Sequence, residues 1–187
     1  MKFTSTLIAL AFAVPAWAEP LTLTPADPQP DAGDLTPGLA VAYAYPKSPK
    51  TLEDAADALK KSRPGPAIKG MSYDTPEGEL VMTSRKGTKV AASITGFLRF
   101  DAAGTFTVDV ISNDGVQTFL GGQEIAFYDG VHACEPAGEQ EVIVPEAGWY
   151  AIETTYFQRK GSACLMMDWN VSGEMGLVPD EAFAHTE

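Results

Sequence analysis

Few residues in this chain of 187 could carry out chemistry. The candidates are two cysteines, Cys134 and Cys164, two histidines, His132 and His185, and an excess of carboxylates. The sequence contains no nucleophile motif, no closely spaced histidine pair, no phosphate loop and no metalloprotease helix. Acid–base catalysis would therefore depend on carboxylates, whose separation in space the sequence does not give. We expect a protein that is not an enzyme and whose polar loop residues bind a partner.

The two cysteines are expected to pair with each other. In an oxidising compartment a single pair of cysteines most simply forms a disulfide. A Cys134–Cys164 bridge would close a loop of about 31 residues and stabilise the fold by roughly 3–4 kcal/mol in the chain-entropy model. Free buried thiols and thiol chemistry are the alternatives. A metal site is disfavoured, because zinc sites use four ligands at short spacings.

The start of the chain has the pattern of a secretory signal peptide. Lys2 supplies a positive charge, Leu7–Val14 is an apolar run, and Ala16–Ala18 is a cleavage site of the A-x-A type. The apolar run is shorter than the roughly 20 residues that a membrane-spanning helix needs. We therefore expect residues 1–18 to be removed, no membrane anchor, and a periplasmic or secreted protein.

The negative net charge of the chain disfavours some classes of partner. Without Lys2 the 13 Lys and Arg residues fall to 12, against 25 Asp and Glu. Such an acidic surface repels polyanions, so nucleic acid and anionic lipid are poor partners. We expect no nucleic-acid partner, and an exported protein whose surface can attract cations.

The hydropathy pattern predicts the elements that position these residues. From Gly96 to Asn170, short apolar–polar alternations are broken by turn residues at nearly regular intervals, which is typical of antiparallel β-strands. About nine or ten strands favour an all-β sandwich or barrel. Residues 19–36, rich in Pro and Asp, are predicted to form an extended N-terminal arm. Residues 37–187 are predicted to form a single β domain.

One short helix is predicted over Lys50–Lys61. Either Thr51 or Ser48 can cap its N-terminus, because a side-chain oxygen there accepts from a free backbone N–H. Acidic residues follow in the first turn and lysines in the last, as the helix dipole favours. The helix is expected to cover the edge of a sheet and to carry no chemistry.

Further strands and turns follow from the same pattern. Ala67–Met71 and Leu80–Thr83 are candidate strands. Asn113–Gly115 is predicted to be a hairpin turn, since Asn, Asp and Gly tolerate positive φ. Gly121–Gly122 is predicted to be a second tight turn between strands.

The order of several motifs resembles the protective-antigen-type domain, also called the PA-fourteen domain. The motifs that carry this resemblance cover most of residues 37–187 and are, in order, Gly38–Tyr43, Ile94–Leu98 with Gly104–Thr107, Ser112–Gly115, Gly121–Ile125, Gly148–Tyr150 with Tyr156–Gln158, Gly161–Leu165 and Leu177–Pro179. No single motif is specific, but their order is. The resemblance implies an antiparallel β-barrel or sandwich, and several members of that family bind carbohydrate. The chain departs most from the family pattern over residues 51–80.

The resemblance also implies a candidate calcium site. In some members two adjacent aspartates, an asparagine and loop carbonyls hold the ion. The matching positions here are Asn113, Asp114 and Gln158, so one carboxylate is replaced by an amide. Calcium sites usually include more than one carboxylate, and Arg159 beside Gln158 would repel a cation if it pointed inward. We therefore expect weak Ca²⁺ binding or none.

The expected ligand is a glycan, bound by the loops around Asn113–Gly115, Asp129–His132 and Gln158–Ser162. Asp129, His132 and Arg159 are the candidate ligand-binding residues in these loops. The alternative is a structural or interaction module of the cell envelope that binds another protein and has no sugar site.

Overall fold

The computed structural model describes residues 19–187, and the predicted signal peptide, residues 1–18, lies outside the described part. Within residues 19–187, no helix has the length and apolar character needed to cross a membrane.

Two sheets make up the fold. The seven-stranded sheet contains β1 (Leu21–Thr22), β5 (Ser72–Thr75), β7 (Gly104–Ser112), β10 (Glu135–Pro136), β11 (Gln140–Val144), β13 (Ala163–Trp169) and β14 (Gly176–Leu177). The eight-stranded sheet contains β2 (Leu35–Pro37), β3 (Ala40–Ala44), β4 (Arg63–Pro64), β6 (Val90–Phe100), β8 (Val116–Leu120), β9 (Gln123–Tyr128), β12 (Gly148–Gln158) and β15 (Phe183–Thr186). The strand order is β1-β11-β7-β13-β14 in the first sheet and β2-β15-β6-β12-β8-β9 in the second. The predicted all-β fold is confirmed, and of the two predicted forms, sandwich or barrel, it is the sandwich, because the sheets do not close. The seven- and eight-stranded sheets hold more strands than the nine or ten predicted, since several strands have only two or three residues.

The core lies between the sheets and follows from the alternation in the strands. In the second sheet β6 and β12 pair in antiparallel register from Phe100–Gly148 to Val90–Gln158. Their inward side chains, among them Ile94 and Ile152, pack in one cluster with Val108 and Val110 of β7. Each fully buried large apolar side chain of this kind contributes about 1.5–3 kcal/mol. The long alternating strands are therefore the main source of stability.

The one α-helix within residues 19–187, α1 (Leu52–Leu59), covers the outer face of the eight-stranded sheet and not, as predicted, a sheet edge. Leu52 and Ala55 pack against Phe157 of β12, whose ring points away from the main core. Of the two predicted caps, Thr51 is the one used, because its Oγ1 accepts from the Asp54 backbone N–H at 3.1 Å. It is shorter than the predicted Lys50–Lys61.

Three predicted elements are wrong. Asn113–Gly115 is not a hairpin, because β7 and β8 lie in different sheets, and these residues carry the chain from one sheet to the other. Leu80–Thr83 is not a strand, because residues 81–86 close a turn in which the Val81 N–H donates to the Lys86 carbonyl. Ala67–Met71 pairs only through an isolated bridge from Ile68 to Leu39. The glycine turn Gly121–Gly122 between β8 and β9 is confirmed.

The predicted disulfide between Cys134 and Cys164 is confirmed. Their Cα atoms are 5.9 Å apart. The bond ties the loop after β9 to the start of β13. It therefore fixes a loop that carries two of the candidate ligand-binding residues.

Candidate functional site

Three loops that are far apart in the sequence meet at Asp114. The Asp114 carboxylate accepts from the Arg159 backbone N–H at 2.6 Å, and its carbonyl lies 2.6 Å from Nε2 of His132. The Asp114 N–H donates in turn to the His132 carbonyl at 3.3 Å. We call the surface formed by residues 113–115, 128–132 and 158–162 the loop corner. The structure thus brings together the three loops that the sequence singled out.

Asn113 sits at the seam between the two sheets and bonds to both. Its Oδ1 accepts from the Tyr156 hydroxyl of β12 and from the Cys164 N–H of β13, each at 2.8 Å. Its Nδ2 donates to the Ser162 carbonyl at 3.0 Å and to Asp114 Oδ2 at 3.3 Å. The side chain is only 4% exposed. Asn113 therefore joins the sheets with all of its polar atoms engaged.

Asp114 and Gln158 are buried in the same network, at 2% and 0% exposure. Gln158 Nε2 donates to the carbonyls of Gly161 and Ser162, each at 3.2 Å. Gln158 Oε1 is buried and has no hydrogen-bond partner among the described residues. Asp114 adopts a left-handed conformation with φ of +57°, which lets the chain turn between the sheets. The peptide bond that joins Asn113 to Asp114 is trans.

These residues do not fit a calcium ion. Calcium takes six to eight oxygen ligands, but both lone-pair directions of Asn113 Oδ1 are used by protein donors. The loop carbonyls that could close the shell already accept from side-chain amides. Within residues 19–187, Gln158 Oε1 is the one buried side-chain oxygen without a hydrogen-bond partner. One amide oxygen beside one carboxylate supplies too few ligands for calcium. In the described part of the chain, no three His, Cys, Asp or Glu side chains cluster closely enough to share a metal ion.

The surroundings of Asp114 disfavour the ionised form of its carboxyl group. Burial raises the pKa of the Asp114 carboxyl above its ordinary value, and this outweighs the bond from the Arg159 N–H and the nearby His132, which lower it. A carboxyl whose pKa is raised in the folded state binds more protons there than in the unfolded chain. Its contribution to stability is therefore present at low pH and is lost as the pH rises through the raised pKa.

We predict a pH-dependent difference between the wild type and Asp114→Asn. The amide keeps an acceptor for the Arg159 N–H but cannot titrate. As the pH falls from neutral towards the ordinary pKa of aspartate, the wild type should gain unfolding free energy relative to the variant. Urea unfolding across that range measures the difference. Burial also raises the pKa of Asp109. Because both proteins contain Asp109, its contribution cancels in the difference between their unfolding free energies. A difference that stays flat or shrinks would contradict the prediction.

The predicted ligand-binding residues lie on the rim of the loop corner. Asp129 Oδ1 accepts from the Leu52 N–H at 2.6 Å, so it holds the N-terminus of α1. Arg159 Nε donates to the Ser48 hydroxyl at 3.3 Å. The His132 ring packs against Tyr128 at a tilt of 37°, with the ring centres 3.8 Å apart. The structure places all three near one another, and their role in binding stays a prediction.

Only one of the two ring nitrogens of His132 has a hydrogen-bond partner among the described residues. Because the Asp114 carbonyl can only accept, Nε2 carries the hydrogen of that 2.6 Å bond. Nδ1 is buried and has no partner among residues 19–187. The ring therefore anchors Asp114 and packs against Tyr128.

The aromatic residue of this site, which directly precedes the predicted loop Asp129–His132, was not among the predicted ligand-binding residues. Tyr128, at the end of β9, is 39% exposed and packs on His132. Tyr150 and Trp169 are buried in the core, so they offer no surface to a ligand. The usable signal was that β9 ends in two aromatic residues, Phe127 and Tyr128, directly before the polar loop.

Comparisons with known proteins agree with this architecture. A family model for the PA14 domain matches residues 78–182. None of the curated proteins matches the sequence.

Solved structures share the fold at low sequence identity. The PA14 domain of an antifreeze protein is 14% identical, with a TM-score of 0.65 over 84% of this chain and 94% of that one. The PA14 sugar-binding domain of an RTX adhesin is 16% identical, with a TM-score of 0.60 over 80% and 99%. The A domain of epithelial adhesin 9 from Candida glabrata, solved with Galβ1-3GlcNAc, is 12% identical, with a TM-score of 0.66 over 90% and 96%.

Proposed function

This chain belongs to the PA14 domain family, and on that premise we propose that it is an exported, non-catalytic module that binds a glycan at the loop corner. Similar structures include a sugar-binding domain of an adhesin and an adhesin domain in complex with a disaccharide. The signal-peptide pattern of residues 1–18 supports export to the periplasm or the exterior.

One observation carries the proposal: an exposed aromatic ring is surrounded by rigidly held polar groups. Tyr128 offers an apolar surface, and Asp129 and Arg159 offer an acceptor and donors beside it, while His132 supports the Tyr128 ring from one side. Ligand sites commonly combine apolar and aromatic walls with a few fixed polar groups. Since the buried network at Asn113 and Asp114 fixes the loops, the rim is organised before a ligand arrives.

Calcium has no part in the proposed binding. The network that would have to supply its ligands is closed by hydrogen bonds instead. We therefore expect the loop corner to keep its shape and its affinity when calcium is removed.

The test is a glycan array followed by affinity measurements on the best neutral ligand, with and without EDTA. Tyr128→Ala should weaken binding about tenfold or more, as truncation of an aromatic contact residue does. Phe127→Ala is the matched control, because Phe127 is the neighbouring aromatic residue and is 52% exposed. It should leave the affinity unchanged, as should EDTA. An array without binders, or equal losses in both variants, would refute glycan binding at the loop corner.

A protein partner is the second candidate. Met175 and Leu177 are exposed apolar side chains at or beside β14, the edge strand of the seven-stranded sheet. Exposed apolar residues at a sheet edge are typical of interaction surfaces. An envelope protein that co-purifies with the wild type but not with Leu177→Glu would favour this function, provided that the array shows no binders.

A further inference from the structure

A cleft of about 600 Å³ opens at the end of α1 opposite the loop corner. Its walls are the strands β3 and β4, the C-terminal end of α1 and the turn at residues 81–86. The lining side chains that matter here are Tyr43, Tyr45, Lys47, Lys61, Arg63 and Arg85. Its volume lies in the range of small-molecule sites. Most of this surface precedes the residues that match the PA14 family model.

The charge of the cleft is opposite to that of the protein. The whole chain has a formal net charge of −12, yet four basic side chains and no Asp or Glu line this cleft among the described residues. The ion pairs within residues 19–187 are Lys60–Asp57 and Arg99–Asp101. Lys47, Lys61, Arg63 and Arg85 therefore have no carboxylate at ion-pair distance. Four unbalanced cations around one cavity favour a ligand with negative charge.

Hydrogen bonds hold the floor of the cleft in place. The Thr83 hydroxyl donates to the Pro66 carbonyl at 2.6 Å, so Tyr43 must be the donor in its 2.8 Å bond with Thr83 Oγ1. Tyr43 also accepts from the Thr83 N–H at 3.2 Å. Burial raises the pKa of Tyr43 to about 12, so the hydroxyl keeps its proton at physiological pH. Gly65 leaves room for this ring, since a Cβ there would lie 2.6 Å from it.

A second tyrosine fixes the basic turn. The Tyr45 hydroxyl accepts from the Arg85 N–H at 3.1 Å, and Lys86 Nζ lies 5.0 Å from the centre of its ring. Tyr45 remains 36% exposed. The cleft therefore presents a rigid aromatic ring next to several cations, so it needs little ordering on binding.

We propose that this cleft binds an anionic saccharide that carries carboxylate or sulfate groups, at a site separate from the loop corner. Arginine side chains bind such groups in a two-point geometry, and Tyr45 offers a surface for the sugar ring. An extended peptide fits less well, because Pro64 in β4 and Pro66 just after it lack the N–H groups that strand pairing needs. The choice of a saccharide rests on the proposed function, whereas the requirement for negative charge does not.

The helix separates the two sites. The Leu52 N–H at its start bonds to Asp129 of the loop corner, and Ala58 near its end lines the cleft. Eight helical residues span about 12 Å at 1.5 Å per residue. Lys47 directly precedes Ser48, the partner of Arg159. The test therefore uses variants of Arg63 and Arg85, whose side chains form, in the described part of the chain, no hydrogen bond or ion pair with the loop corner.

The test measures binding by calorimetry with digalacturonate, a sulfated disaccharide from chondroitin, and neutral galactobiose. The expected result is that at least one of the acidic disaccharides binds and that galactobiose does not bind in the cleft. The double variant Arg63→Gln, Arg85→Gln should weaken acidic binding about tenfold or more, because it removes two charged donors. Lys69→Gln is the matched control, since Lys69 is an exposed cation outside the cleft, and it should change the affinity less than about twofold. The acidic disaccharide that binds identifies the charged group.

Several results would overturn the proposal. They are the absence of binding by both acidic disaccharides, equal binding of galactobiose at the same site, an affinity for acidic disaccharides that the double variant does not change, and equally tight binding of a hexaglutamate peptide.

The cleft proposal and the loop-corner proposal can be refuted independently of each other. If Tyr128→Ala abolishes neutral glycan binding while no acidic disaccharide binds, only the cleft proposal is wrong. If the neutral array is blank while acidic binding depends on Arg63 and Arg85, only the loop corner is wrong.

Discussion

Replacing Asn113 with alanine is expected to lower the free energy of unfolding by about 3–4 kcal/mol, among the largest effects of any single substitution. The variant leaves the Tyr156 hydroxyl and the Cys164 N–H without their shared acceptor in a buried place. It also removes one donor from the Ser162 carbonyl. Each buried polar group left unpaired costs about 1–3 kcal/mol, and here the unpaired groups lie on both sheets.

Urea unfolding of the Asn113→Ala variant measures this loss. Asn170→Ala is a matched control, since Asn170 Oδ1 accepts from the Thr107 N–H at 2.7 Å but lies half-buried at a strand end. The control should lose only about 1 kcal/mol, the value of a typical hydrogen bond. Similar losses in the two variants would mean that the seam between the sheets does not depend on Asn113.

Removing the disulfide by the double variant Cys134→Ser, Cys164→Ser is expected to cost about 3–4 kcal/mol in the chain-entropy model. A loss of that size corresponds to a fall in melting temperature of roughly 10 °C for a domain of this length. The loop from Tyr128 to Cys134 would also lose its tie to β13, so affinity for a neutral glycan should fall. Calorimetry in oxidising conditions checks the first effect, and titration checks the second.

The oxidised and reduced wild type provide the control for the disulfide variant. Cys134 is exposed while Cys164 is only 2% exposed, so a reductant can reach one of the two sulfur atoms. The reduced wild type should resemble the double variant in melting temperature. Equal stability of the oxidised and reduced protein would show that the bond adds nothing to the fold.

The strands could be predicted from the sequence where the apolar–polar alternation was long and was bounded by turn residues. The β6, β7 and β12 strands follow directly from this pattern, and the disulfide follows from an export signal together with a single pair of cysteines. Leu80–Thr83 failed because a short apolar run does not distinguish a strand from a turn. Asn113–Gly115 failed because the residues that favour a hairpin also favour a turn between sheets.

The site was only partly predictable, since the sequence gives residue types and not their partners. Asn113, Asp114 and Gln158 were rightly placed together, but their oxygen atoms are engaged or buried within the protein. No short stretch of the sequence indicates the basic cleft, because Lys47, Arg63 and Arg85 come from three separate segments. Only the crossing of β3, β4 and the turn at residues 81–86 brings them around one cavity.

The segment from residue 19 to residue 37 belongs to both layers of the sandwich. Its first strand, β1, pairs in parallel with β11, and its last, β2, pairs with β15. Between them, Gln29 bonds through both side-chain polar atoms to the backbone of Trp149. Loss of this segment would make β11 and β15 the outermost strands on that side of each sheet. Both are longer than the strands that cover them, and a longer exposed strand edge pairs more readily with another molecule, so we expect the shortened protein to aggregate.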